Sequence, residues 1–141
     1  MNEPKWLLAE LVRAVHKMVL AKHGGGEGIR DKALLESALN RAPQKFTYDS
    51  DATLFQLAAA YSFGIVKNHP FIDGNKRTAF MAGAIFLEIN GYKLVALEAE
   101  TTLIFEGLAG SKISEPELST WFKQNAKKSN ANTTINSTSV K

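Results

Sequence analysis

Apolar residues recur at helical spacing along most of the chain. This periodicity predicts about six helices with short connections between them. The third and fourth helices carry apolar residues on nearly every side, which is typical of buried helices. The sequence therefore predicts an all-α fold, a helical bundle packed around two buried central helices. The predicted helices span about residues 5–22, 32–41, 52–68, 75–89, 99–109 and 115–125.

Local signals mark where these helices begin and end. Glycines within residues 24–28 end the first helix, because glycine favours loop conformations. Ser114 and Glu117 have the spacing of a capping box at the start of the sixth helix. Residues 43–50, which begin with a proline, are predicted to form a loop, and residues 92–96 to be briefly extended.

Composition and charge favour one globular domain and argue against a nucleic-acid partner. Of the 141 residues, 45% are hydrophobic and none is cysteine, which excludes disulfides, zinc–thiolate sites and thiol nucleophiles. Residues 1–126 carry fourteen Lys and Arg (17 in all, minus Lys127, Lys128 and Lys141) and all fourteen Asp and Glu. The net charge of +3 therefore lies in the last fifteen residues. We expect a balanced domain over residues 1–126 and a disordered, polar, basic tail over residues 127–141.

The sequence also favours a cytoplasmic location. Its first residues lack the charged and apolar regions of a signal peptide. The longest apolar stretch, about residues 54–66, is interrupted by Gln56 and Ser62 and is too short to span a bilayer. We therefore expect a protein without a membrane partner.

The densest chemistry in the sequence lies between the two central helices, in the run His69-Pro70-Phe71-Ile72-Asp73-Gly74-Asn75-Lys76-Arg77. The imidazole of His69 can act as a base towards an attacking hydroxyl at neutral pH. Asp73 offers a carboxylate of the kind that binds Mg²⁺ together with phosphate oxygens. Phe71 is most simply a core residue that fixes the run in place.

The second half of the run has the features of a phosphate-binding site. Gly74 has no Cβ, so a phosphate can approach its backbone closely. Asn75, Lys76 and Arg77 begin the fourth helix, where free N–H groups and the helix dipole favour anions. Phosphoryl or nucleotidyl transfer needs mainly such positioning and charge neutralisation. Each feature alone is common in turns, caps and solvated surfaces, but their occurrence together between buried helices favours a site.

The run resembles the motif of the Fic/death-on-curing family, whose AMP-transferring branch carries His-x-Phe-x-Asp/Glu-Gly-Asn-Gly-Arg-x-x-Arg. The matching residues are His69, Phe71, Asp73, Gly74, Asn75 and Arg77. The resemblance covers about residues 1–126 and implies a catalytic domain with the family's helical bundle, in which the active-site loop joins the central helices. It also extends to residues 28–31, 34–39, 90–91 and 110–114.

Two departures from that motif favour the death-on-curing branch, whose members are toxins of type II toxin–antitoxin systems. Lys76 stands in place of the second glycine, and Phe80 in place of the final arginine, which would grip the terminal phosphate. The resemblance then implies an ATP-dependent kinase that phosphorylates a threonine of elongation factor Tu and stops translation, with a cognate antitoxin as a second partner. Pro70 and Gly74 look more like the other branch, so protein AMP transfer is the alternative. A catalytically silent nucleotide- or partner-binding module is a further alternative.

The resemblance also assigns roles within the run. His69 would activate the target hydroxyl, Asp73 would bind Mg²⁺, and ATP would be the co-substrate. The residues expected to bind its phosphates are Gly74, Asn75, Lys76 and Arg77.

One residue and one stretch of the chain each allow a functional and a structural interpretation. Lys67 matches a basic position of the toxins and could contact phosphate, or it is a surface lysine at a helix end. Residues 44–50 lie where the family places a target-positioning flap, or they form a simple connector.

Three other features receive structural interpretations. Residues 102–107 fit the family's autoinhibitory pattern Ser/Thr-x-x-x-Glu-Gly/Asn, but their apolar residues favour packing in a core helix. His16 and His23 lack close ligand partners in the sequence and are expected to be ordinary surface or loop residues.

Overall fold

Six helices account for most of residues 2–129, the part of the chain that the computed structural model describes. The predicted all-α fold is confirmed, with one addition: a two-stranded antiparallel sheet in which Tyr92 pairs with Lys128 and Leu94 with Ala126. The elements are α1 (Ala9–His23), α2 (Lys32–Tyr48), α3 (Leu54–Asn68), α4 (Asn75–Ile89), β1 (Tyr92–Leu94), α5 (Glu98–Ala109), α6 (Glu115–Asn125) and β2 (Ala126–Lys128).

Helices α3 and α4 form the centre of the molecule, as their apolar sequences predict. Nine residues of α3 are buried, and α4 packs against it along its length. Close approach depends on Gly83, where a Cβ would lie 2.5 Å from Ser62 Oγ and 2.7 Å from the Phe122 ring. The Ser62 hydroxyl also donates a hydrogen bond to the Ala79 carbonyl at 2.6 Å. The two helices on either side of the motif therefore form a close-packed support.

Helix α2 is longer than the sequence predicts, and the predicted loop over residues 43–50 is wrong. The helix continues to Tyr48 with Pro43 inside it, and the true connection is short. Ala42 is fully buried, and Phe46 packs edge-on against Trp6 with ring centroids 5.7 Å apart. Burial of this face outweighs the cost of a proline in the helix, so tertiary packing overrides local propensity.

The ends of the chain also differ from the prediction. Helix α1 begins at Ala9 rather than near residue 5, because the preceding segment bonds elsewhere: Leu7 N–H donates to the Tyr61 hydroxyl at 3.1 Å, and Lys5 N–H to Asn90 Oδ1 at 2.9 Å. Regular structure extends through β2 to Lys128, two residues into the predicted tail. Residues 130–141 of that tail lie outside the described part of the chain.

Helix starts follow the capping chemistry of the sequence. The predicted capping box of Ser114 and Glu117 is confirmed, and the backbone N–H of Ser114 bonded to the Glu117 carboxylate lowers the pKa of that carboxyl. A second capping box, formed by Thr53 and Gln56, starts α3 two residues later than predicted. Within residues 2–129 no helix is both long and apolar enough to cross a membrane.

Candidate active site

His69 is the residue at which α3 ends, and its backbone is left-handed. Its φ and ψ are 51° and 54°, a conformation that costs a residue with a Cβ about 1–2 kcal/mol. The side chain is exposed, and within residues 2–129 its ring makes no hydrogen bond. A strained residue with a free imidazole fits the predicted role of a base that meets an incoming hydroxyl.

The loop that joins α3 to α4, residues 69–74 and called the motif loop below, is bound to the segment at residues 28–31. Arg30 N–H and Asp31 N–H both donate to the Pro70 carbonyl, at 2.6 and 3.1 Å, and Ile72 N–H donates to the Gly28 carbonyl at 3.1 Å. The Arg30 guanidinium adds bonds to the carbonyls of Asn68 and His69, at 2.9 and 2.7 Å. The segment that resembled the toxins in sequence therefore fixes the His69 end of the loop.

Asn75 fixes the other end of the motif loop. Its side-chain oxygen accepts from Phe71 N–H and its amide donates to the Phe71 carbonyl, both at 3.0 Å. Both residues are buried. The Asn75 side chain is therefore occupied in holding the loop, which leaves only its backbone N–H for the predicted phosphate contact.

Asp73 is exposed, and its carboxylate lies at the N-terminus of α4. One oxygen accepts from Gly74 N–H at 2.8 Å, and the other faces Gly26 N–H at 3.4 Å. A Cβ on Gly25 would come within 2.8 Å of that second oxygen. The glycine run after α1 therefore does more than end a helix, since it lets backbone approach the predicted metal ligand.

The buried histidine of the site was missed by the sequence analysis. His16, expected at the surface or in a loop, is only 4% exposed, and its ring stacks on Phe71 with centroids 3.8 Å apart and 12° between planes. Its Nε2 lies 2.8 Å from the Asp73 carbonyl oxygen. Helical spacing gave the signal that was available, because His16 falls on the same face of α1 as the buried Val12 and Val19.

The first turn of α4 opens beside a cavity of about 600 Å³, within the usual size of a small-molecule pocket. Lys76 and Arg77 line it together with Lys22 and His23, and Arg77 Nη1 lies 3.3 Å from the His23 ring. His23 is thus a neighbour of the site rather than an unrelated loop residue. Free N–H groups, the helix dipole and three cationic side chains make this end of α4 favourable for an anion.

Helix α5 forms the opposite wall of this cavity, and the prediction that it is a core helix is wrong. Only Phe105 and Leu108 are buried in it, and Leu103 is 69% exposed. Thr102 and Glu106, which carry the autoinhibitory pattern, line the same cavity as Lys76 and Arg77. Packing therefore does not explain these two residues, and Glu106 adds a carboxylate to the cavity that Lys76 and Arg77 line.

Phe80 occupies the position of the final arginine of the AMP-transferring motif. It lines the cavity and packs edge-on against Phe105, with ring centroids 5.6 Å apart and 80° between planes. An aromatic ring there offers apolar contact and no hydrogen-bond donor to a phosphate.

Lys67 and residues 44–50 are not brought to the motif loop. The Lys67 ammonium bonds to Ser111 Oγ in the turn after α5 and lies 5.7 Å from the centre of the Phe63 ring. Most of the predicted flap is the end of α2. Their proposed contacts with phosphate and target are therefore without structural support in the described residues.

The acidic and imidazole groups of residues 2–129 form no cluster of three that would hold a metal by itself. Asp73 stands as a single exposed carboxylate next to a phosphate-favouring helix end. This arrangement fits Mg²⁺, which is commonly bound through one or two carboxylates and the phosphates of a nucleotide, with water completing its shell.

Comparison with known proteins identifies the family. A sequence model described as Fic/DOC family matches residues 6–87, more than half of the chain. The chain is 45% identical over 75 residues to Toxin Doc of Mycolicibacterium smegmatis, and the match covers 52% of this chain and 57% of that protein. It is 31% identical over 81 residues to Protein kinase doc of Escherichia phage P1, covering 57% of this chain and 64% of that protein. The chain belongs to the Fic/DOC family, and the matches span less than two thirds of either curated relative.

Proposed function

We propose that this protein is a toxin-type, ATP-dependent protein kinase that transfers phosphate to a Ser or Thr hydroxyl of a translation factor. His69 takes the proton of the target hydroxyl, which then attacks the terminal phosphorus as the bond to ADP breaks. Lys76, Arg77 and the free N–H groups of α4 bind the phosphates. Bound at Asp73, Mg²⁺ would neutralise charge on the phosphate oxygens.

The observation that favours kinase over AMP transferase is Phe80. The AMP-transferring motif has an arginine here, whereas this chain presents a ring packed on Phe105. The relative from phage P1, which shares 31% identity, is named a protein kinase. Protein AMP transfer remains the second candidate, since Gly74 matches that branch. A silent nucleotide-binding module is less favoured because His69 and Asp73 are both present and exposed.

Elongation factor Tu is the proposed target, and this choice rests on the resemblance of the motif to death-on-curing toxins. A separate antitoxin is the proposed inhibitor, which is supported by a relative that is named Toxin Doc. The cytoplasm is the proposed location. Phosphorylating a translation factor would stop growth, and a host of such a toxin needs a means of blocking it.

Intact-mass analysis of elongation factor Tu after incubation with the protein and Mg-ATP tests this proposal. A gain of about 80 Da indicates phosphate transfer and a gain of about 329 Da indicates AMP transfer. No gain on any translation factor would overturn the enzymatic proposal. The mass of the transferred group therefore distinguishes a kinase from an AMP transferase.

Removing the base is the matched control. His69→Ala should lower the rate of transfer about 100- to 10,000-fold, the range for a lost general base, without unfolding the exposed site. His69→Asn provides a second variant, because asparagine tolerates the left-handed backbone of this position better than alanine. Equal activity in folded samples of both variants would remove His69 from the mechanism.

A further inference from the structure

We propose that His16, in the middle of α1, is a positioning residue that sets the orientation of the Asp73 carboxylate. Its contacts lie on the motif loop rather than on substrate. The proposal deepens the function proposed above and rests on it only for its kinetic test.

The hydrogen bond from His16 reaches one particular peptide group. A carbonyl oxygen can only accept, so His16 Nε2, 2.8 Å from Asp73 O, must carry the proton. The same peptide plane ends in Gly74 N–H, which donates to Asp73 Oδ1 at 2.8 Å. Because the peptide group is planar and rigid, a bond that fixes its carbonyl also fixes the direction of its N–H. The imidazole therefore acts on the carboxylate through one rigid unit.

Packing holds the imidazole in the orientation that this bond requires. One face of the His16 ring stacks on Phe71 at 3.8 Å, and Phe71 is itself held by two hydrogen bonds to Asn75. Gly74, with φ of 78°, lies against α1, where a Cβ would be in ordinary van der Waals contact with Val19 at 3.4 Å and with the His16 ring at 3.7 Å. The His16 ring therefore packs against the turn as well as bonding to it.

Second-layer partners of a metal ligand commonly change metal affinity or activity about 10- to 100-fold when they are removed. Losing the His16 donor removes the partner of the Asp73 carbonyl in this part-buried bond and frees the Asp73–Gly74 peptide to turn. The carboxylate then spends less time in the direction of the bound Mg-ATP. We expect removal of the His16 donor to raise the Mg²⁺ concentration needed for ATP binding more than it lowers the free energy of unfolding.

Two variants separate the donor from the ring. His16→Phe keeps the aromatic stack on Phe71 and removes the hydrogen bond, whereas His16→Gln keeps an N–H donor at similar reach and removes the ring. The proposal expects His16→Phe to need at least about tenfold more Mg²⁺ for half-maximal ATP binding and transfer. It expects His16→Gln to remain within about threefold of the wild type, although it is less stable. Equal Mg²⁺ requirement in the two variants would overturn it.

A measurement on the wild-type protein needs neither a variant nor a target. Long-range ¹H–¹⁵N spectra of histidine side chains distinguish the two neutral tautomers, and we expect His16 to carry its proton on Nε2. A proton on Nδ1 alone would refute the proposal even if both variants failed to fold. Measuring Mg-ATP binding without a target separates a failure of this inference from a failure of the proposed function. If the Mg²⁺ dependence of ATP binding is unchanged in His16→Phe, this inference is wrong. If the wild type binds Mg-ATP but transfers no phosphate, only the proposed function is wrong.

Discussion

The two ends of the motif loop are held by different kinds of interaction. At the His69 end, the exposed guanidinium of Arg30 bonds two loop carbonyls, and the backbone of residues 30 and 31 bonds the carbonyl of the buried Pro70. At the Asp73 end, Asn75 and His16 hold the loop from inside the core. Buried hydrogen bonds lose more when a partner is removed, because the remaining group has no water to replace it. The Asp73 end should therefore be the more sensitive to substitution.

This difference fits the two proposed tasks. A base must meet an incoming protein hydroxyl, so the free imidazole of His69 lies in solvent on a left-handed residue. A metal ligand works at a fixed geometry, and Asp73 accordingly joins a peptide whose carbonyl is bonded to a buried ring. One end thus presents an exposed, unbonded imidazole, and the other an exposed carboxylate whose own peptide group is held by a buried ring.

The largest effect on stability is expected from Asn75→Ala. Two hydrogen bonds are lost and both backbone groups of Phe71 remain unpaired in the core, so the free energy of unfolding should fall by about 2–4 kcal/mol. Urea unfolding measures this change. Gln124→Ala, an exposed substitution in α6, is the control and should stay within about 0.5 kcal/mol of the wild type. A loss below about 1 kcal/mol for Asn75→Ala would contradict the claim that this end is fixed from the core.

Alkaline pH should weaken the attachment of the segment before α1 to α3. Burial raises the pKa of Tyr61 to about 12, partly offset by the hydrogen bond from Leu7 N–H, which holds the segment leading into α1. Since the folded-state pKa exceeds the unfolded value of 10.0, the contribution of neutral Tyr61 is complete below pH 10 and is lost as pH rises towards 12. The loss amounts to about 2–3 kcal/mol at most.

Tyr61→Phe isolates this contribution from other groups that titrate at high pH. At neutral pH the variant should be less stable by about 1–3 kcal/mol, because Leu7 N–H loses its acceptor in the core. The difference in unfolding free energy between the two proteins should shrink as pH approaches 12. A difference that stays constant with pH would show that Tyr61 does not titrate in this way.

A smaller effect is expected from Arg30→Lys at the exposed end. An ammonium group cannot bond the Asn68 and His69 carbonyls as a planar fork, so the variant should lose about 1 kcal/mol of stability. Its transfer activity should fall more than its stability suggests, since His69 is less well fixed. If Arg30→Lys cost more unfolding free energy than Asn75→Ala, the comparison between the two ends would be reversed.

The smallest effect is expected from Glu106→Gln. Glu106 lines the cavity together with Lys76 and Arg77, so its negative charge should repel the phosphates of ATP there. Because solvent screens this repulsion, removing the charge should tighten Mg-ATP binding only about two- to fivefold. Titration calorimetry without a target measures it. Glu100→Gln changes an exposed carboxylate of α5 that does not line the cavity, and an equal gain there would assign the effect to net charge alone.

The sequence predicted those parts of the fold that depend on local chemistry. Helix α4 begins and ends at the predicted residues 75 and 89, and the Ser114 capping box is present. Helix α2 was misjudged, because the packing of Phe46 on Trp6 depends on a residue far away in sequence. The same limit applies to strand β2, which needs β1 as a partner.

In the candidate site, too, some features could be predicted from the sequence and others could not. The motif named the residues of the loop, but nothing local revealed that Asn75 turns its side chain inwards or that His16 stacks on Phe71. The contact between His16 and Asp73 joins residues 57 positions apart, whereas the bonds between Asn75 and Phe71 span four residues but depend on the conformation of the loop between them. For Lys67 two interpretations were left open, and its bond to Ser111 agrees with that of a surface lysine at a helix end.

The central claim is that His69 and Asp73 act on the same metal-bound triphosphate. Replacing Mg²⁺ by paramagnetic Mn²⁺ in complex with ATP, and following the histidine side-chain resonances of the protein, tests it directly. We predict that Mn-ATP broadens the His69 imidazole signals and that Asp73→Asn largely prevents this at the same concentrations. Broadening elsewhere in the protein with His69 unaffected would contradict the account.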